Sequence, residues 1–274
     1  LPESELLDLV AGSAVLPVAW ANPALTMSFG ASLTTPDVWF DDVAMAVMVH
    51  SHRHHSQGEQ WDDTVDKDGD LVAAGIVVAG ASTHPGKFGF VSLHNIIASG
   101  YGGRIFATNL EGQTVLGIET LRSLDELPEG AADLIFVCTP KGANLDLLTT
   151  AASKGVKAAF LTSAGYGESG PDGRRDEDEL IARCAELGIL LVGPNGQGVV
   201  STPSSLCAQI VAPYPPAGRI GVASQSGNFV SSFMNWSCAT GVGISRAVSA
   251  GNAAATGVGD LLEHFADDPE TSVA

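Results

Sequence analysis

The stretch LVAAGIVVAGASTHPGKFG, residues 71–89, decides the fold. Its first nine residues form an unbroken apolar run without polar alternation, as a strand buried on both faces requires. Residues 80–89 are rich in turn formers. Residues 91–99 read as a helix, and the glycine-rich Gly100-Tyr101-Gly102-Gly103 stops it. Residues 104–108 read as a second strand. Strand, turn, helix and strand in this order make a βαβ unit, which implies a parallel sheet.

The pattern continues downstream. Residues 117–127 hold a short connection and a helical turn. Residues 133–139 (DLIFVCT) form a buried strand ended by Pro140, and residues 145–154 a helix closed by Gly155. Residues 157–162 are a strand, and a glycine-rich loop spans 163–173. A charged helix covers 174–187, with Gly188 at the position that ends a helix in the left-handed conformation. Residues 189–192 run as a strand into Gly193-Pro194-Asn195-Gly196. The proline-rich passage 212–218 reads as a linker. A second series follows, with strands at 219–223 and 243–250, helices at 229–239 and 260–266, and a tail, 271–274, that resembles the start of a strand. Upstream, residues 1–70 show no clear periodicity. Helices are expected near 3–11 and 41–49. The organisation is therefore a segment of unassigned role (1–70), a first α/β domain (71–211) and part of a second (218–274).

Composition bounds the function. The 274 residues carry a formal net charge of −18 and are 45% apolar. A sizeable core is affordable, and a nucleic-acid surface is disfavoured, because phosphate neutralisation needs clustered Lys and Arg. The four cysteines, Cys138, Cys184, Cys207 and Cys238, form no CxxC pair. They read as buried free thiols in a reducing compartment, so a cytoplasmic location is expected. No apolar run reaches the roughly 18 residues of a membrane span, and no basic signal-peptide region opens the chain. The tract His50-Ser51-His52-Arg53-His54-His55 reads as a solvated loop without a second cluster to complete a metal site. His264 reads as a solvent-facing helix residue. Residues 174–179, with Arg174 and Glu177, read as an exposed first helical turn.

In open parallel sheets ligands bind beyond the carboxyl ends of the strands. Four small-residue loops lie at such ends: 80–89, 138–141, 162–167 and 193–196. Gly and Ser let a phosphate approach the backbone, and a following helix N-terminus favours it. Lys87 adds a cation, and His84 is either a ligand contact or a turn residue. The first loop departs from G-x-G-x-x-G, and Thr108-Asn109-Leu110 supplies no ribose-binding acid, which argues against NAD. In the second series, the strand ending in Ser224-Gln225-Ser226-Gly227 runs directly into a helix N-terminus, another anion cradle.

The segments VVAGASTHPGKFG, IFATN, FVCTP, TSAGYGE, GPNGQG, GRIGVASQSGNF, SAGNAA and LLEHFADDPET occur in that order. Together they resemble the nucleoside-diphosphate-forming acyl-CoA synthetases, a family that includes the succinyl-CoA synthetase alpha subunit and the ADP-forming acetyl-CoA synthetases. The resemblance runs from residue 71 to the end. It implies an α/β fold, with a Rossmann-like CoA-binding domain on a parallel sheet followed by the start of a flavodoxin-like ligase domain. By that likeness Gly80, Ser82, Gly86 and Lys87 would line the phosphates of coenzyme A. Asn109, Pro140, Ser163 and Ala164 would line its nucleotide and pantetheine path, with Asn195 near the thiol. Ser224, Gln225, Ser226 and Gly227 would receive a phosphohistidine, and Gly251 and Asn252 would close the same pocket. The resemblance further implies a small carboxylic acid as co-substrate, ATP/ADP and Mg2+ handled by an ATP-grasp domain or subunit, an oligomeric assembly, and a phosphorylated histidine beyond residue 274. Three departures stand out. Gly196 occupies the place of a frequent family cysteine, Ser231 that of a tyrosine in the succinyl enzyme, and no catalytic residue is assigned within the chain. Two other readings stay open: a non-catalytic CoA-binding module, and a nicotinamide-dependent oxidoreductase.

Overall fold

A computed structural model describes residues 75–211 and 214–274, together with three short strands upstream, β1 (Ala19–Ala21), β2 (Val38–Phe40) and β3 (Met45–Val47). The chain divides into two units, Leu1–Asp62 and Asp63–Ala274. In the first, β1, β2 and β3 form an antiparallel sheet in that order. The helix expected over 41–49 is thus a strand at 45–47. The helix expected near 3–11 and the histidine tract lie outside the described residues.

The second unit contains two larger sheets. The first holds five parallel strands: β4 (Gly75–Ala79), β5 (Arg104–Thr108), β8 (Leu134–Val137), β9 (Ala158–Leu161) and β10 (Leu190–Val192). A small hairpin, β6 (Thr114–Val115) and β7 (Ile118–Glu119), lies between β5 and β8. Helices α1 (Phe88–Ala98), α2 (Asn144–Ser153) and α3 (Pro171–Leu187) make the crossovers from β4 to β5, β8 to β9 and β9 to β10. The spatial order is β10-β9-β8-β4-β5. This is a doubly wound sheet whose direction reverses between β4 and β8, the point where ligands bind in such folds.

The continuous apolar strands are explained by cover on both faces. Val77, Ala79, Ile135, Val137 and Leu161 pack against Leu148 and Ala151 of α2 and Leu180 and Cys184 of α3. The alternate residues Ile76, Val78, Phe136 and Phe160 face Leu93 and Ile96 of α1. Phe136 and Phe160 stack with ring centroids 5.2 Å apart. Gly188 ends α3 at φ 68°, the left-handed conformation its position predicted.

The second sheet has the order β12-β11-β14-β13, from β11 (Gly198–Ser201), β12 (Leu206–Gln209), β13 (Ala217–Ser224) and β14 (Ile244–Ser249). Helices α4 (Gly227–Thr240) and α5 (Val258–Asp267) follow β13 and β14. Val200, Val222 and Ala247 pack on Val230 and Met234 of α4. Val248, with Leu261 and Phe265 of α5, joins the core that also holds Phe160 of the first sheet. Two features of this sheet were not visible in the sequence. β11 and β12, expected within the first domain, pair antiparallel with each other, and β11 also pairs antiparallel with β14. The boundary expected at residue 211 therefore runs through a sheet. The proline-rich passage is also anchored: the Tyr214 hydroxyl donates to Asn95 Oδ1 at 2.9 Å, and the Asn95 amide donates to the carbonyls of Gln209 and Val211. The tail was read correctly as strand-like, since Val273 bridges to Ile220 in parallel on the edge of β13.

Candidate functional site

The carboxyl ends of β8, β9, β10 and β13 open onto one cleft of about 650 Å³. Pro140, Ser163, Ala164, Asn195, Gln225, Ser226 and Gly227 all line it. Seven predicted site residues from four separate loops thus share one cleft.

Each loop is held by its own chemistry. The Ser163 hydroxyl donates to the Thr139 carbonyl at 2.7 Å and accepts from the Asn144 amide at 3.1 Å. Asn144 is fully buried, also donates to the Tyr166 hydroxyl, and accepts from Thr139. One asparagine at the start of α2 therefore locks two adjacent loops together. Burial pushes the Tyr166 hydroxyl above its ordinary pKa, against the lowering effect of the Asn144 bond. Lys141 donates to the Gly165 carbonyl at 2.7 Å and pairs with Asp176, so its charge is spent on the loop. Asn195 lies at φ 58°, a left-handed turn that Asn tolerates well.

At β13 the strand runs directly into a helix N-terminus, as its residue types suggest. Ser226 caps α4, its hydroxyl accepting from the Phe229 N–H at 3.2 Å, and the Ser224 hydroxyl accepts from the Ser226 N–H at 3.0 Å. The Gly227 and Asn228 N–H groups find no acceptor among the described residues. Two free donors at a helix start therefore face the cleft, where the helix dipole favours negative charge.

The remaining predicted residues sit elsewhere. Gly80, Ser82, Gly86 and Lys87 form the loop before α1, and the cleft is reached only by the next residue, Phe88. In that loop the Ser82 hydroxyl accepts from the His84 N–H, and His84 Nδ1 accepts from the Gly86 N–H. His84 is therefore a turn residue here. The α1 N-terminus carries no side-chain cap. Asn109 donates to the Ala81 carbonyl and accepts from the Glu111 N–H, holding this loop against the end of β5. Gly251 and Asn252 buttress the Asn195 turn from behind. The Asn252 N–H donates to the Pro194 carbonyl at 2.9 Å, and the Asn195 amide donates to Asn252 Oδ1 at 3.3 Å.

Asn252 also carries a contact that the sequence did not suggest. Its amide nitrogen donates to Glu168 at 2.5 Å and to Glu177 at 2.7 Å. Glu177 is completely buried, although it lies in the charged run read as an exposed turn. It also binds Arg174 at 2.5 Å and accepts from the Gly167 N–H. Burial raises the Glu168 carboxyl, but bonds from Asn252 and from the Gly165 and Tyr166 N–H groups outweigh it and hold the group below the usual carboxylate range. The loops of β9 and β14 are thus joined through one amide. The TSAGYGE segment showed Glu168, but not that a residue 84 positions away would bind it.

The cleft is also lined by Cys138 and Thr139 of the expected 138–141 loop, and by Gln197 and Asn228, to which sequence reasoning gave no role. Burial pushes the Cys138 thiol up to about 11, outweighing bonds from Ser92 and Thr162, so it stays protonated at neutral pH. Cys184 and Cys207 are buried as expected, whereas Cys238 is exposed. The Ser231 hydroxyl donates to Gln197 Oε1 at 2.6 Å, tying α4 to the turn after β10. At Gly196 a side chain would place Cβ 2.6 Å from Cζ of the buried Phe160 and 2.8 Å from the Ser249 carbonyl oxygen. The residues present thus exclude a cysteine here. Gly196→Cys should destabilise the protein by about 1–3 kcal/mol, the range for overpacking a filled core. Denaturant melts check this, and unchanged stability would show that the Phe160 ring yields freely.

No helix among the described residues is long and apolar enough to cross a membrane. Residues 74–202 match the family model for a CoA binding domain, and residues 217–274 match that for a succinyl-CoA ligase like flavodoxin domain. The chain is 34% identical over 200 residues to the alpha subunit of acetate–CoA ligase [ADP-forming] I of Pyrococcus furiosus, covering 72% of this chain and 43% of that protein. It is 33% identical over 203 residues to a trans-feruloyl-CoA synthase from an unknown prokaryotic organism, covering 72% of this chain and 29% of that one. It therefore spans less than half the length of either relative. A solved structure of Candidatus Korarchaeum cryptofilum dinucleotide forming acetyl-coenzyme A synthetase 1, in complex with phosphate and ADP, superposes with a TM-score of 0.71 at 28% identity. That match covers 76% of this chain and 45% of that one.

Proposed function

Because the chain belongs to the nucleoside-diphosphate-forming acyl-CoA synthetase family, we propose that it is the CoA-handling part of an ADP-forming acid–thiol ligase. In the reaction, a carboxylate, coenzyme A and ATP interconvert with acyl-CoA, ADP and phosphate through an acyl phosphate and a phosphohistidine. The observation that carries this reading is the single cleft shared by the ends of four strands and the open N-terminus of α4. Its volume suits a pantetheine-sized arm, and its walls are neutral and polar rather than cationic.

Within that reading the roles follow from the placement of each loop. The loop with Gly80, Ser82, Gly86 and Lys87 would meet the phosphates of coenzyme A, Lys87 supplying the cation and the uncapped α1 start its N–H groups. Asn109 would act indirectly, by holding that loop. Pro140, Ser163 and Ala164 would line the pantetheine arm on its way to Asn195. The N–H groups of Gly227 and Asn228, set by Ser224, Gln225 and Ser226, would hold the transferring phosphoryl group. Positioning and charge stabilisation are most of what that step requires. Gly251 and Asn252 would keep the Asn195 turn in place. The ATP-grasp element with its Mg2+, the phosphorylated histidine and the oligomeric assembly belong to this proposal as partners of the described residues. Relatives named for acetate and for trans-feruloyl-CoA differ widely in their acyl groups, so the acid is proposed only as a small carboxylic acid.

Calorimetry with CoA and NAD on one sample tests the proposal. CoA should bind saturably and NAD should not. Lys87→Ala should weaken CoA by about 1–3 kcal/mol, the range for losing a charged hydrogen bond. NAD binding without a CoA signal would overturn the reading, and an unchanged CoA affinity would remove Lys87 from the site.

A further inference from the structure

A transferring phosphoryl group spreads its charge over three oxygens. At the start of α4 the free Gly227 and Asn228 N–H groups supply two donors. Among the described residues no Lys, Arg or His lines the cleft, so a further donor there is a neutral one. We infer that the side-chain amide of Gln197 is the third donor and holds the phosphoryl group in place during transfer. This rests on the phosphoryl transfer proposed at the start of α4 and gives a role to a residue left without one.

Gln197 lines the cleft from the turn after β10. Its backbone is held on both sides. The N–H is shared between the carbonyl and the hydroxyl of the buried Ser249, each at 3.3 Å, and the carbonyl accepts from the Ile210 N–H at 2.9 Å. The side chain is held at its far end, where Oε1 accepts from the Ser231 hydroxyl at 2.6 Å. That hydroxyl shares its proton with the Gly227 carbonyl, one turn back on α4, at 2.8 Å. With the oxygen engaged, the amide has its Nε2 left over, and neither of its hydrogens has an acceptor among the described residues.

Gly227 shows where that nitrogen lies. A Cβ built on Gly227 would stand 2.9 Å from Gln197 Cδ and 3.1 Å from Nε2. The amide is therefore laid over the first residue of α4, beside the two free N–H groups, and a side chain at 227 would push it away. Gln225 and Asn228 also bring amides to the cleft, but both are exposed and no hydrogen bond to a described residue holds their side chains. Gln197 differs in being fixed beforehand. A donor already in place stabilises developing charge without having to be ordered during the step. Gln197 itself forms and breaks no covalent bond.

The test titrates the 274-residue chain with inorganic phosphate and with acetyl phosphate, followed by 1H–15N NMR. Acetyl phosphate presents the same three oxygens on an acyl carrier. Both probes should move the Gln197 side-chain NH2 pair together with the Gly227 and Asn228 backbone signals. Gln197→Leu should weaken both probes about tenfold, as loss of one hydrogen bond to a charged group implies. Ser231→Ala should weaken them about threefold, since the amide keeps its donor but loses its fixed orientation. Movement of Gly227 and Asn228 beside a stationary Gln197 pair would overturn the inference and leave the phosphoryl reading standing, whereas no movement at any of the three would remove both. Unchanged affinity in Gln197→Leu would overturn the inference, and unchanged affinity in Ser231→Ala would overturn the clamp. A response to inorganic phosphate alone would overturn it too, because the site would then hold only a released anion. The NH2 pair is assigned through its own side-chain carbons, so this readout stands even where a variant does not fold.

Discussion

Replacing Asn252 with aspartate is expected to cost about 3 kcal/mol of stability at neutral pH, by analogy with breaking a buried charged network. In a protein of this size that is a fall in Tm of about 6–12 °C. The two amide hydrogens of Asn252 are spent on Glu168 and on the fully buried Glu177. Aspartate keeps the shape but removes both donors and adds a third carboxylate. Glu177 keeps Arg174, whose side chain is 61% exposed and so screened by solvent. The pH dependence separates this cause from simple loss of packing. In the unsubstituted protein the Glu168 pKa is depressed. Its contribution is therefore complete above the unfolded carboxylate value of about 4.3 and is lost as pH falls through the folded value. In Asn252→Asp the crowded acids are raised instead, so the folded state binds more protons than the unfolded one. The deficit should then shrink between about pH 7 and pH 5. Thermal melts of both proteins across that range decide it. An unchanged Tm, or a deficit that widens on acidification, rejects the network. Because Asn252 also supports the Asn195 turn, CoA affinity should fall in the same variant.

Gly89→Ala should be at least as damaging, with a loss of about 3 kcal/mol or more. A Cβ on Gly89 would stand 2.0 Å from the Gly80 carbonyl oxygen and 3.0 Å from the Ala81 Cα. Those contacts are backbone, so no side-chain rotation relieves them. Either α1 backs away from the end of β4 or the 80–87 loop is displaced. Each outcome disturbs the core formed by Leu93 and Ile96 against Ile76 and Val78. Denaturant unfolding of the purified variant measures the loss. A variant as stable as the parent would mean that the helix start has slack that the packing does not show.

Gly89 also illustrates how much the sequence disclosed. Glycine and serine in 80–89 were legible as a turn offering backbone to an anion. The same residues serve first to let a helix begin against a strand end, a demand invisible until the two are packed. Ser226 was more transparent. An N-cap acts on its own next three residues, so a hydroxyl between strand and helix announces its role. Glu177 was misread for a physical reason. Charge in a helical run suggests solvent, but burial depends on what the helix lies against, and part of the surroundings of Glu177 comes from Asn252, in the loop after β14. The 198–209 hairpin is a similar case. Its strands were adjacent to the first domain in sequence, yet β14 offered the open edge.

What the residues determined unaided were the features that act over a few positions: buried strands, helix caps, turn-forming glycines, and so the α/β class with small-residue loops at its strand ends. Strand order, the sheet shared across the expected boundary and the amide joining two glutamates were decided by tertiary structure. Each depends on groups tens of residues apart meeting at hydrogen-bond or van der Waals distance, and no local periodicity encodes such a meeting.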